Sequence, residues 1–84
     1  MKKQLKRRLL IALREGRGLR QADVAAALGL STSRYGMYEV GIRTPRPAPM
    51  KAIADFFMRD MTELFPDAFV DGALDSEPAA VIAG

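Results

Sequence analysis

The chain has 84 residues, of which 49% are hydrophobic and 27% are charged, and this predicts one small domain with a compact core. It contains no cysteine and no histidine, which excludes a disulfide framework, a thiolate metal site and the commonest general base. All 13 basic residues lie in residues 1–65, which carry a net charge of +7, whereas residues 66–84 carry −4. This asymmetry favours a polyanionic partner, although an ordinary solvated surface would carry similar charges.

No apolar run approaches the roughly 18 residues of a membrane span. Near the N-terminus, polar and basic residues interrupt the apolar stretch that a signal peptide needs. We therefore expect a cytoplasmic protein that has no membrane partner.

A first helix is predicted over residues 3–15, because leucines recur there with the three- and four-residue spacing of one buried stripe. They are Leu5, Leu9, Leu10 and Leu13. A cluster of cations occupies its first turns, namely Lys2, Lys3, Lys6, Arg7 and Arg8. Cations at that end oppose the helix dipole, so local stability does not explain them, whereas contact with phosphates would.

Two short amphipathic helices follow, predicted over residues 21–28 and 32–40. Gly29 stands where a helix closes with positive φ, and Ser31 stands where its hydroxyl oxygen can cap the second helix. When the apolar faces meet, the second helix keeps small and polar residues outside: Thr32, Ser33, Gly36 and Met37. Such a helix beside basic residues suits the major groove of DNA, which predicts a helix-turn-helix motif.

Three prolines within residues 45–49 predict a stiff loop over residues 41–49, and this loop carries Arg43 and Arg46. A fourth helix is predicted from residue 48 or 49 to residue 57. Its inner face holds Met50, Ile53, Ala54 and Phe57. Asp60 and Glu63 have the spacing of a capping box, which predicts a one-turn helix ending near residue 65.

Residues 66–84 are acidic and rich in alanine, glycine and proline. We expect most of this tail to be disordered, and the alternative is a short helix or a dimer contact through Phe69, Val70 and Leu74. The domain is therefore predicted to end after residue 65.

The pattern resembles the phage repressor/Cro-like helix-turn-helix domain, also called the Xre family, over residues 5–65. The resemblance is specific, because several features hold together at fixed offsets. They are Gly18, Leu19, Gln21, Ala25, residues 28–31, Glu39, Gly41, Arg43, Pro45 and the apolar endings at residues 53–57 and 63–65. The resemblance implies an all-α fold, in which residues 1–65 form a compact five-helix, lambda-repressor-like DNA-binding domain and residues 66–84 form a short C-terminal tail.

The resemblance also implies roles for individual residues. Five match positions that face DNA base edges, and they are Thr32, Ser33, Arg34, Gly36 and Met37. Four match positions that bind the DNA backbone, and they are Gln21, Ser31, Arg43 and Arg46. Arg14 and Glu39 match a structural salt bridge between the first and third helices. No catalytic residue, metal site or cofactor is implied.

Several of these roles have an alternative. Arg34 is a strong donor that reaches either a guanine or a phosphate. Gln21 is either a phosphate ligand or a solvated residue in the first turn of its helix. Arg43 and Arg46 either bind phosphates or only keep the loop soluble.

The chain departs from the family pattern at three places. Arg20 replaces the usual threonine or serine cap, which predicts a weaker start of the second helix. Met58 and Arg59 replace a glycine and a valine, which predicts an altered turn. Gly36 lies inside a helix, where glycine costs about 0.5–1 kcal/mol relative to alanine.

The favoured function is a small transcription regulator, a repressor that binds a palindromic operator in double-stranded DNA as a homodimer and lies on the nucleoid. The alternative is an antitoxin-type regulator whose residues 66–84 bind a partner protein. An enzyme is disfavoured, because the carboxylates Asp55, Asp60 and Glu63 fit helix-surface and capping roles.

Overall fold

Five α-helices follow one another in the computed structural model, which describes residues 6–69. They are α1 (Arg8–Gly16), α2 (Gln21–Leu28), α3 (Thr32–Val40), α4 (Pro47–Phe57) and α5 (Met61–Leu64), and a 3₁₀ helix (Pro66–Phe69) follows them. Residues 6–69 contain no strand, and the predicted all-α, five-helix fold is confirmed. The folded part continues past residue 65 to Phe69, while Val70 and Leu74 lie outside the described residues.

The first helix is shorter than predicted, because α1 begins at Arg8 and not at residue 3. Arg7 precedes it with φ −88° and ψ 83°, outside the helical range. The backbone N–H of Arg7 donates to the carbonyl oxygen of Glu39 at 2.8 Å, so the chain is bonded to α3 instead of continuing a helix. Residues 1–5, which include Leu5 and two lysines of the predicted cation cluster, lie outside the described residues.

Glycine and serine define the boundaries of α2 and α3. Gly29 ends α2 with φ 71°, as predicted, and Gly41 ends α3 with φ 87°, and both angles favour glycine. The hydroxyl oxygen of Ser31 accepts a hydrogen bond from the backbone N–H of Arg34 at 3.0 Å. This cap satisfies one of the free N–H groups at the start of α3.

The start of α2 is closed by Asp23, although its N-cap residue is Arg20. The Asp23 carboxylate accepts the backbone N–H of Arg20 at 2.8 Å and two of its guanidinium N–H groups at 2.9 and 3.1 Å. The hydrogen bonds from the Arg20 side chain, followed by that from its backbone, lower the pKa of Asp23 to about 2. Arg20 itself provides no side-chain cap, as the sequence predicts, and Asp23 supplies the reciprocal half of a capping box.

The core takes buried side chains from all five α-helices. Its hydrophobic members are Leu10, Val24, Ala25, Tyr35, Tyr38, Met50, Ile53, Ala54, Phe57, Leu64 and Phe65. The inner face predicted for α4 is confirmed, because all four of its residues belong to this set. On α3, Tyr35 and Tyr38 point inward, so the first-turn residues of that helix remain at the surface.

Met58 adopts the left-handed conformation that ends α4, with φ 56° and ψ 46°. Its N–H donates to the Asp55 carbonyl at 3.1 Å, and the Arg59 N–H donates to the Ala54 carbonyl at 3.0 Å. These are the hydrogen bonds of a helix that ends at glycine. The altered turn expected from Met58 and Arg59 is therefore not found, because the methionine takes the strained backbone conformation itself.

Replacing Met58 with glycine is expected to raise the free energy of unfolding by about 0.5–1 kcal/mol. Relief of the left-handed strain outweighs the greater freedom that glycine has in the unfolded chain. Little packing is lost, because Met58 is 79% exposed. Urea unfolding of the wild type, Met58→Gly and Met58→Ala measures the effect. Alanine keeps the Cβ and therefore the strain, so equal stability of the two variants would show that strain is not the cause.

Candidate nucleic-acid interface

The first turn of α3 presents polar side chains at the surface. Thr32, Ser33 and Arg34 are all exposed, whereas Gly36 and Met37 are half-buried further along the helix. The guanidinium group of Arg34 has no hydrogen bond or ion pair within residues 6–69, and the hydroxyl hydrogen of the capping Ser31 is not used by the cap. This end of the helix therefore carries donors that are available to an external acceptor.

The basic loop, residues 41–46, combines a fixed backbone with exposed basic side chains. Backbone N–H groups of Gly41, Ile42 and Arg43 all donate to the Met37 carbonyl, at 3.1, 3.1 and 3.3 Å. Arg43 and Arg46 are exposed, and their guanidinium groups have no partner in the described part of the chain. A fixed loop loses little conformational entropy when its cations meet a bound anion, which suits contact with a phosphate backbone.

A buried carboxylate joins three helices behind this surface. Glu39 is 1% exposed and accepts from Arg14 through Nε at 2.6 Å and Nη2 at 3.1 Å. It also accepts from Gln21 Nε2 at 2.9 Å, and Arg14 Nη1 donates to the Leu19 carbonyl at 2.8 Å. The hydrogen bond to Glu39 is the main cause that raises the pKa of Arg14. The network fixes α1 and the start of α2 against α3.

Gln21 and Gly36 lie against each other between α2 and α3. A Cβ on Gly36 would come within 3.0 Å of Gln21 Oε1, so the glycine leaves room for the glutamine side chain. A side chain at residue 36 would therefore point toward Gln21. One amide N–H of Gln21 is already donated to Glu39, and phosphate binding by the other N–H stays a prediction.

Arg7 is buried, and all of its side-chain donors are hydrogen-bonded. From the sequence it is one of the cations expected to contact phosphate. It is 3% exposed, and all five of its guanidinium N–H groups donate within the protein. The acceptors are Asp67 Oδ1 at 3.0 Å, Asp67 Oδ2 at 2.6 Å, the Tyr38 carbonyl, the Arg43 carbonyl at 2.8 Å and Thr44 Oγ1 at 3.0 Å. The phosphate role expected for Arg7 is therefore wrong, because no donor of its side chain remains, whereas Lys6 and Arg8 are exposed.

Asp67 is the other half of this arrangement. Its carboxylate lies in the 3₁₀ helix and takes a bidentate ion pair from Arg7, whose hydrogen bond is the main cause that lowers the pKa of Asp67. The two residues are 60 positions apart, and the sequence places Asp67 in an acidic tail. No local pattern pairs them, so this link is absent from the sequence-based prediction.

Among residues 6–69, no group of three or more histidine, cysteine, aspartate or glutamate residues is arranged to hold a metal ion. None of the helices in that part of the chain is long and apolar enough to cross a membrane.

A family model described as helix-turn-helix matches residues 10–64, which is more than half of the chain. Nothing matches among the curated proteins or among the solved structures. The matched range contains α2, α3, the basic loop and the Arg14–Glu39 pair, and it leaves out Arg7 and Asp67.

Proposed function

The chain belongs to the Cro-type, Xre-like helix-turn-helix family, whose members are DNA-binding transcription regulators, and from this premise we propose that it is a repressor that binds a palindromic operator as a homodimer. One domain of this size reads only a few base pairs, so a two-fold dimer with half-sites about one helical turn apart would supply the required specificity. Repression would follow from occupying a promoter.

The observation that carries this proposal is the exposed first turn of α3 together with the exposed arginines of the loop that follows the helix. Thr32, Ser33 and Arg34 are the proposed base-reading residues, and Arg43 and Arg46 are the proposed backbone contacts. Three exposed arginines, one on α3 and two on the loop that follows it, supply the donors that such a complex needs for base edges and for phosphates. The proposed roles of Gln21, Ser31, Gly36 and Met37 remain those expected from the resemblance.

The proposed dimer contact, through α5 and Phe69, would cover an apolar pocket. It has a volume of about 330 Å³ and lies between the basic loop, α4, α5 and the 3₁₀ helix. Pro45, Met61 and Phe69 are among its lining residues. Burying such a surface against a second copy would contribute to association in proportion to the apolar area removed from water.

Binding selection from random duplexes, with stoichiometry read by analytical ultracentrifugation, tests the proposal. The expected result is an enriched site with two-fold symmetry that holds two chains per duplex. An asymmetric site or one chain per duplex would rule out the dimer, and the absence of any enriched sequence would rule out an operator.

The antitoxin-type alternative rests on the net charge of −4 over residues 66–84, which is unsuited to direct contact with DNA. It predicts a stoichiometric protein partner that is lost when the chain is truncated after Phe69. That cut keeps Asp67 and its contacts with Arg7, so it tests the tail without disturbing the described domain.

Replacing Arg43 with alanine is expected to weaken binding to all duplexes by a similar factor and to reduce the slope of log K against log salt by about one. The reason is that the variant releases one counterion fewer if Arg43 meets a phosphate. Titrations between about 50 and 200 mM salt measure the slope. Arg59→Ala is the matched control, because Arg59 lies outside the proposed interface and pairs with Glu63 at 3.5 Å. An unchanged slope in Arg43→Ala would mean that this arginine meets no phosphate.

A further inference from the structure

The Arg7 guanidinium connects the 3₁₀ helix to the basic loop. On one side it holds Asp67, and on the other it donates to the Arg43 carbonyl at 2.8 Å and to Thr44 Oγ1 at 3.0 Å. A further N–H donates to the Tyr38 carbonyl in the last turns of α3. One side chain thus binds the end of α3, the loop after it and the segment that follows α5.

These contacts constrain the part of the loop that has no helix of its own. Residues 43–46 are neither helical nor extended in a sheet, so no ladder of backbone hydrogen bonds fixes their direction. The Met37 carbonyl holds the N–H side of Arg43, and Arg7 holds its carbonyl side. Because the guanidinium is planar and its five donors are all used, it sets the orientation of the groups that it binds.

We propose that Arg7 and Asp67 are positioning residues for DNA binding, which hold the basic loop so that Arg43 reaches the phosphate backbone while neither residue touches DNA. Asp67 orients Arg7 through the bidentate pair, and Arg7 orients the loop through the Arg43 carbonyl and the Thr44 hydroxyl. The inference rests on the proposed phosphate contact of the loop and adds a dependence on two residues outside the matched range of the family.

The direction in which removal of the Asp67 carboxylate changes the affinity for DNA separates positioning from simple electrostatics. Removing a carboxylate makes the protein more basic, and charge alone would then raise its affinity for DNA. Positioning predicts the opposite for Asp67, because the loop loses its anchor. We expect Asp67→Asn to bind operator DNA about tenfold more weakly, with a salt slope reduced by about one.

Asp55→Asn is the matched control. It removes the same charge from a surface pair with Lys51, at 3.1 Å, that has no contact with the loop. We expect its affinity to equal or exceed that of the wild type. Affinities are measured on the full chain in the absence of urea. Circular dichroism and urea unfolding first show that each variant is folded under these conditions. The proposal would be overturned if Asp67→Asn bound operator DNA as tightly as Asp55→Asn does.

A double-mutant cycle distinguishes positioning from a general loss of structure. If Asp67 acts through Arg43, then Asp67→Asn combined with Arg43→Ala should bind no more than about twofold more weakly than Arg43→Ala alone. Additive losses would mean that Asp67 affects binding by another route and would overturn the inference.

Thr44→Val supplies a second variant that keeps the Arg7–Asp67 pair intact and removes one hydrogen bond to the loop. Thr44→Val should also weaken DNA binding, by a smaller factor than Asp67→Asn does. Its effect should likewise be non-additive with that of Arg43→Ala. If Asp67→Asn fails to fold, this cycle decides the question alone. If the wild type itself selects no duplex, the proposed function fails. If the wild type binds DNA and the variants bind it equally well, only the positioning role is contradicted.

Discussion

Replacing Glu39 with alanine is expected to lower the free energy of unfolding by about 3–5 kcal/mol. The carboxylate is 1% exposed and accepts three hydrogen bonds from Arg14 and Gln21. Its removal leaves the Arg14 side chain, which is only 12% exposed, without its main counter-charge. Such a loss is a large fraction of the stability of a small domain, so a substantial unfolded population is expected. Urea unfolding followed by circular dichroism measures the change.

Glu15→Ala is the control for the loss of Glu39. Its carboxylate also lies near Arg14, at 3.8 Å, but it is 66% exposed, so its removal is expected to change stability by no more than about 0.5 kcal/mol. The comparison separates a buried pair from a surface pair that shares one arginine. Losses of equal size in the two variants would show that burial of Glu39 does not set the cost.

Replacing Arg34 with alanine is expected to relax the base preference at one position of each half-site by about 1–3 kcal/mol. Arg34 is exposed in the first turn of α3, and its side chain is unpaired within residues 6–69. A guanidinium that donates to both acceptors of a guanine reads that base, whereas one that donates to a phosphate does not. Binding selection with the variant, compared position by position with the wild type, measures the effect.

Lys51→Ala is a suitable control for Arg34→Ala, because Lys51 is exposed on α4 and pairs with Asp55. It removes one positive charge without touching α3, so its selected sequence should match that of the wild type. Uniform weakening of Arg34→Ala across all sequences, with the preference unchanged, would assign Arg34 to the DNA backbone.

Local patterns were sufficient to predict most of the fold. The boundaries of α2 and α3 follow from short-range signals, namely amphipathic spacing, the serine cap and Gly29, and each of these signals acts within a few residues. The inner face of α4 follows from helical periodicity for the same reason. The Arg14–Glu39 pair has no local signal, and only the resemblance to the family brings these two residues together.

Tertiary contacts explain what the sequence does not predict. Arg7 looks like one more surface cation, but its acceptors come from α3, the loop and the 3₁₀ helix, which only the folded chain brings together. The backbone N–H of Arg7 is also bonded to the Glu39 carbonyl of α3, and α1 begins only at Arg8. For Gly36, a glycine inside a helix signals a close approach, but the sequence cannot tell whether DNA or a neighbouring side chain approaches. In the structure that neighbour is Gln21.

The separation of 60 residues between Arg7 and Asp67 also has a consequence for how the protein is made. During translation, α1, α2 and α3 emerge long before the 3₁₀ helix, and their mostly short-range contacts can form early. The anchor of the basic loop cannot form until Asp67 has left the ribosome. Under the proposed positioning role, a nascent chain would complete α3 before its basic loop is anchored, and full affinity for DNA would be reached only after Asp67 has emerged.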